Sequence, residues 1–209
     1  MNGGANFNQF CLNFTAGDLA GMAESVRSFG FGALNNGLSP ETLTALQAEA
    51  DRALATMTRA ESSTNLKYSA RMCGLGPVAS AVLKGAEMLG LLERVFDGQF
   101  ELSDHISCLT HYGPADHLGT HLDKPASDCA VTILLYLRAR SRVSSAAETG
   151  LILHVYGETE DTVGKARLSI PTCEGTVVLG RGSQFWHERP RLQDGEDVIA
   201  ITGCYKACK

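Results

Sequence analysis

The sequence lacks the features that mark several large classes of protein. No run of Lys or Arg exceeds two residues, and 18 basic side chains face 23 acidic ones, for a formal net charge of −5. Without a basic stripe, binding to a nucleic-acid backbone or to an anionic membrane surface is not expected. No window approaches the apolar run that a membrane-spanning helix requires, so no span is expected. Residues 1–15 are Asn-rich, with neither a basic segment nor a continuous apolar stretch, and do not read as a signal peptide. The seven cysteines (Cys11, Cys73, Cys108, Cys129, Cys173, Cys204 and Cys208) form no CxxC pair, and only one residue follows Cys208, too little to complete a zinc site. Their odd number and scatter predict reduced thiols in a cytoplasmic protein, most of them small buried hydrophobes.

What remains is a globular composition, 44% hydrophobic and 20% charged, in a chain of 209 residues with no repeat and no dividing linker. One domain is expected. The first half reads as helical. Leu19, Met22, Val26 and Phe29 form an apolar stripe over residues 17–29. A short strand at 30–34 and a turn at Asn35-Asn36-Gly37 follow. Ser39-Pro40-Glu41 supplies a cap hydroxyl, a proline at the first helical position and an acid in the first turn, predicting a helix over 40–57 with Leu43, Leu46, Ala50 and Leu54 buried. Gly76-Pro77 introduces a further helix over 78–92. From residue 106 onward short β-rich runs take over, at 106–112, 130–137, 151–156, 166–170, 175–179, 184–187 and 198–205, separated by turn residues. The stretch 139–148, rich in Ser, Ala and Arg, reads as a mobile surface loop. Helices followed by strands predict an α+β or helix-flanked β-barrel architecture.

The chemistry concentrates between His111 and Asp123. Alternate residues of a strand share a face, so His121 and Asp123 can reach one metal ion from a strand end, with Leu122 turned the other way. His187, in Gln184-Phe185-Trp186-His187 at the end of an apolar strand, is the candidate third ligand. Two imidazoles and one carboxylate on one face leave positions open, an arrangement suited to non-haem Fe(II) and its binding of O₂. Zinc, which prefers closed four-coordinate sites often with thiolates, suits this grouping less. Of the other histidines, His105, His111 and His117 read as polar loop or strand residues, and His154 could face either way. Trp186 is expected to pack behind the ligand as core.

Around these residues the order of motifs resembles the Fe(II)/2-oxoglutarate-dependent oxygenase superfamily, with prolyl-hydroxylase-like and phytanoyl-CoA-hydroxylase-like features. The residues that carry the likeness are Tyr112, Gly113, Gly119, His121 and Asp123, a strand ending in Tyr136-Leu137, then Thr149-Gly150-Leu151. The run from Gly175 to His187, the final strand through Tyr205, and the segments Phe29-Gly30-Phe31 and Leu38-Ser39-Pro40-Glu41 complete it. The resemblance implies a mainly β, double-stranded β-helix (jelly-roll, cupin-like) barrel flanked by N-terminal helices. It implies a single oxygenase domain, 1–209, with a helical support region over 1–104 and the β-helix core over 105–209. It also implies Fe(II), O₂ and 2-oxoglutarate as cofactors, with decarboxylation of the oxo acid to succinate driving oxidation of a C–H bond. Asp123 favours hydroxylation, desaturation or ring formation over halogenation, for which members replace that residue by a small one.

The likeness departs at one position. Members carry an Arg or Lys at the start of the last strand, to bind the distal carboxylate of 2-oxoglutarate; here Asp197 and Val198 stand there. Tyr136, Tyr112 and Arg189 are the candidate substitutes, and Arg71 and Arg191 are candidates to grip a substrate carboxylate. The expected substrate is a small molecule such as an amino acid or biosynthetic intermediate, with a peptidyl group second. The rival readings are an iron or metal-binding barrel that uses no 2-oxo acid, and a metal-free binding module. Oligomeric state is not legible.

Overall fold

The computed structural model describes residues 10–61, 67–142 and 149–208. Four helices and twelve strands are seen among them. Helix α1 (Ala16–Phe29) begins at Thr15, whose side chain and that of Asp18 cap each other's backbone N–H groups. Helix α2 (Pro40–Ala53) begins at Ser39, whose hydroxyl accepts from Thr42 N at 3.2 Å. It ends short of the expected 57 because the chain turns into a strand. The helix expected over 78–92 is two: α3 (Pro77–Lys84) and α4 (Ala86–Phe96), with Gly85 extended between them. Gly76 has no side chain to cap α3, and the carboxylate of Glu49 on α2 does so instead, accepting from Val78 N and Ala79 N at 2.8 and 2.9 Å.

The strands are β1 (Phe31–Leu34), β2 (Thr58–Glu61), β3 (Tyr68–Gly74), β4 (Phe100–Leu102), β5 (Cys108–Tyr112), β6 (His117–His121), β7 (Val131–Ser141), β8 (Ile152–Val155), β9 (Leu168–Pro171), β10 (Val177–Gly180), β11 (His187–Arg189) and β12 (Glu196–Ala207). All pair antiparallel, in the order β1-β10-β7-β12-β5-β3-β6-β11-β8-β9, with β2 on β3 and β4 on β12. The sheet folds over on itself as a nearly closed, jelly-roll-like barrel. Three strands of the first half, β2, β3 and β4, are additions to the helical reading of that region. Of the expected surface loop, residues 139–141 extend β7, and 143–148 lie outside the described residues.

Period-two alternation divides the apolar side chains into two cores. Ile133, Leu135 and Leu137 of β7, Leu109 of β5 and Ile199 and Ile201 of β12 pack outward onto α2, α3 and α4, with Leu83, Leu91 and Leu92 fully buried. Each such side chain contributes roughly 1.5–3 kcal/mol. The alternate residues, Tyr112, Tyr136, Val178, Val198 and Ala200, point into the barrel and meet Leu153, Val155 and Ile170 from β8 and β9. The functional groups lie on this inner face.

The cysteine expectation is corrected. Cys129 and Cys204 form a disulfide, with Cα atoms 4.6 Å apart. They are 75 residues apart in sequence, yet β7 pairs with β12 so that Val131 faces Tyr205, which sets the two cysteines side by side. Cys11, Cys73, Cys108, Cys173 and Cys208 are free. No helix among the described residues is long and apolar enough to cross a membrane.

Candidate metal centre

His121 closes β6 and His187 opens β11, and the two are direct cross-strand partners with ring centroids 4.2 Å apart. Each ring is fixed by its own backbone. His121 Nδ1 lies 3.0 Å from Gly119 O and His187 Nδ1 lies 2.9 Å from Phe185 O. A carbonyl only accepts, so both Nδ1 atoms carry the proton and both Nε2 lone pairs are free to bind a metal. Asp123 lies beyond the end of β6, its N–H donating to Gly182 O at 2.9 Å. Its Oδ1 stands 3.2 Å from His121 Nε2 and 3.7 Å from His187 Nε2, while Thr132 Oγ1 donates to its Oδ2. The three ligand atoms all lie within 4.8 Å of one another, the one such cluster of three or more potential ligands among the described residues.

The electrostatics suit a cation. Burial opposes the charge of Asp123, but the two imidazoles and the Thr132 hydroxyl hold its carboxyl well below the usual range. Burial, followed by the neighbouring His121, pushes His187 down to about 4, which keeps it neutral and available as a ligand. Gly182 is required here, since a Cβ at that position would collide with Asp123 Oδ2 and Thr132 Oγ1. Neither Thr132 nor Gly182 was singled out in the sequence. The donor set of two neutral imidazoles and one carboxylate on one side fits Fe(II) with open positions opposite.

Deeper in the barrel lies a second charged group. His187 opens its strand rather than closing one, so β11 continues to Arg189, which shares the inward face of His187 and is 4% exposed. Its Nη2 donates to Tyr136 Oη at 2.6 Å, and its Nη1 to Gly150 O at 3.0 Å. The guanidinium lies 5.5 Å from the Tyr112 ring centre and 5.1 Å from that of Tyr136. Burial raises both phenols, Tyr112 and Tyr136, so each stays protonated. Among the described residues no carboxylate pairs with Arg189. Tyr112, Tyr136 and Arg189 are thus brought together. Val198 faces the same interior, whereas Asp197 turns outward to His111 Nε2 at 2.7 Å and Arg138 at 3.6 Å. Arg189 therefore supplies, from β11, a cation in the barrel interior that position 198 on β12 does not.

The remaining candidates lie elsewhere. Arg71 is exposed on β3, opposite Arg59 and His111, and Arg191 is exposed with its guanidinium on Ala115 O at 2.8 Å. Neither lines the cavity over the metal ligands. That cavity, about 650 Å³, is bounded by His121, Asp123, Tyr112, Leu118, Trp186 and residues of β3, β5, β6 and β12. Trp186 is thus a wall of the cavity, not core behind the ligand, and Leu122 also faces it.

No protein-family model matches the chain, and no curated protein matches it in sequence. Solved structures match its fold across nearly its whole length. A prolyl-4-hydroxylase from Pseudomonas putida superposes with TM-score 0.66 at 17% identity, covering 91% of this chain and 100% of that one. The non-haem α-ketoglutarate-dependent epimerase SnoN of nogalamycin biosynthesis gives 0.71 at 15%, covering 92% and 82%. HygX from Streptomyces hygroscopicus, with nickel, 2-oxoglutarate and hygromycin B bound, gives 0.63 at 14%, covering 92% and 87%. The chain has the fold of these oxygenases, a double-stranded β-helix, and carries a two-histidine, one-carboxylate cluster inside it.

Proposed function

We propose that this chain is a non-haem Fe(II)- and 2-oxoglutarate-dependent oxygenase that hydroxylates, desaturates or cyclises a small molecule. The observation that carries the reading is the buried guanidinium of Arg189, without a carboxylate partner among the described residues and in the same barrel as the triad. A buried cation is costly unless paired. A dicarboxylic oxo acid would satisfy both ends, its keto acid end at a metal held by His121, Asp123 and His187 and its far carboxylate at Arg189. Tyr136 accepts from Arg189 and keeps its own O–H to donate to that carboxylate, while Tyr112 shields the guanidinium face.

His121, Asp123 and His187 would hold the iron, which with O₂ and the oxo acid supplies oxidising power towards a C–H bond. The protein's share is orientation and exclusion of water. Action as an oxygenase on a free small molecule, not on a peptide, belongs to the same reading. Anaerobic Fe(II) titration with and without 2-oxoglutarate tests it. The expected outcome is a visible charge-transfer band that needs both, is absent in His121→Ala, and is weakened in Arg189→Met. Iron binding with no spectral response to 2-oxoglutarate would favour the rival reading, a barrel that uses no oxo acid.

A further inference from the structure

The cavity over the triad narrows the substrate class, on the reading that the triad holds iron. Its walls are apolar: Tyr68 and Met72 from β3, Ile106, Leu118, Leu122 and Trp186. Apart from the metal-site residue His121 and the Tyr112 phenol, the polar side chains that reach it are neutral threonines, Thr110, Thr120 and Thr202, and two cysteines, Cys108 and the disulfide-bonded Cys204. Only two charged residues line it among the described residues. Asp123 belongs to the metal. The other is Lys124, exposed at the rim and next in sequence to that ligand. Glu188, bonded to the lining residue Thr120, has both carboxylate oxygens engaged, by Thr120 Oγ1 at 2.6 Å and Tyr156 Oη at 2.5 Å.

We propose that the substrate is a small, largely apolar acid, its body seated against Trp186, Tyr68 and Leu118 and its single anionic group received by Lys124. A free amino acid fits poorly, because its ammonium would enter an apolar chamber with no unengaged carboxylate among the described residues to accept it. A polycation fails for the same reason. A molecule with several phosphates would find one cation and no more.

Trp186 is the single Trp of the chain, so its emission reports occupancy of this cavity directly. The zinc-loaded protein, with 2-oxoglutarate and at low ionic strength, is titrated with 3-phenylpropionate, its amide and 3-phenylpropylamine. The acid is expected to bind about fivefold more tightly than the amide, the scale of a partly exposed ion pair, with the amine weakest. Lys124→Ala should abolish the acid–amide difference while the amide binds as before, and Lys124→Glu should place the amine above the acid. An amine that binds as well as the acid, an acid preference that survives in Lys124→Ala, or no response to any of the three overturns the proposal. The charge-transfer titration on the iron-loaded protein keeps the two readings apart. A band without acid preference sinks the substrate class alone, and acid preference without a band sinks the co-substrate alone.

Discussion

A guanidinium with 4% exposure, held by a phenol, a carbonyl and the Thr172 hydroxyl, is an uncommon object in a protein interior. A buried charge without a countercharge is costly, and an apolar side chain of similar volume removes that cost. Arg189→Met is therefore expected to keep the fold and the candidate metal site while lowering 2-oxoglutarate affinity by about 100-fold, the scale of one strong charge-assisted bond. Matched denaturation curves and a shifted charge-transfer titration would show it; an unchanged titration would remove Arg189 from the site. Thr132 makes a separate case. Its hydroxyl orients the Asp123 carboxylate, and Thr132→Val is expected to weaken iron binding by about 10- to 100-fold, with Thr132→Ser restoring most of it. His121, Asp123 and His187 were legible in the sequence because a short motif and an ordered series of strands surround them. Thr132 and Gly182 were not, since each acts across a strand gap that leaves no local pattern.

At the scale of elements, the hairpin β2–β3 shows what sequence periodicity misses. Thr58 to Glu61 carries charged and exposed side chains and no apolar alternation, so nothing in it reads as a strand. It is held instead by Asp116, in the turn before β6, which takes Ser69 Oγ at 2.6 Å, Gly113 N at 2.9 Å and an ion pair with Arg59 at 2.8 Å. Burial opposes the Asp116 charge, but these partners hold its pKa below the usual carboxylate value. A depressed folded-state pKa contributes stability that is present above the ordinary carboxylate range and lost as pH falls through the folded value. Asp116→Asn should therefore lower stability at pH 7 and flatten its decline on acidification; urea midpoints from pH 7 to pH 3 measure both. The break at Gly85 was hidden for a related reason: the apolar stripe continues across it, and only packing of α3 against α4 shows the turn.

For the whole molecule, the larger part of the core and the candidate site are seated apart. The outer core, where the helices cover the sheet, contains neither the triad nor Arg189. Leu91→Ala is expected to cost about 2–5 kcal/mol and leave the charge-transfer band of the remaining folded protein unchanged. Removing the metal with a chelator should lower the melting temperature without unfolding the barrel, because the ion adds only linkage stabilisation, about 2.7 kcal/mol at 100 times its dissociation constant. Unfolding on chelation alone would contradict this separation.

One strand, β11, carries both the ligand His187 and the cation Arg189, two residues apart. Their backbone separation is two residues of extended chain, about 7 Å, although the pairing with β6 shifts register between them. If Arg189 receives the far carboxylate, as proposed, the pair would act as a molecular ruler: a diacid bound at both ends must match it in carbon count. Oxaloacetate, one methylene shorter, and 2-oxoadipate, one longer, should each bind about tenfold more weakly than 2-oxoglutarate, one misfit methylene costing 1–3 kcal/mol. Equal affinity across the three would mean that the far carboxylate is not measured at Arg189.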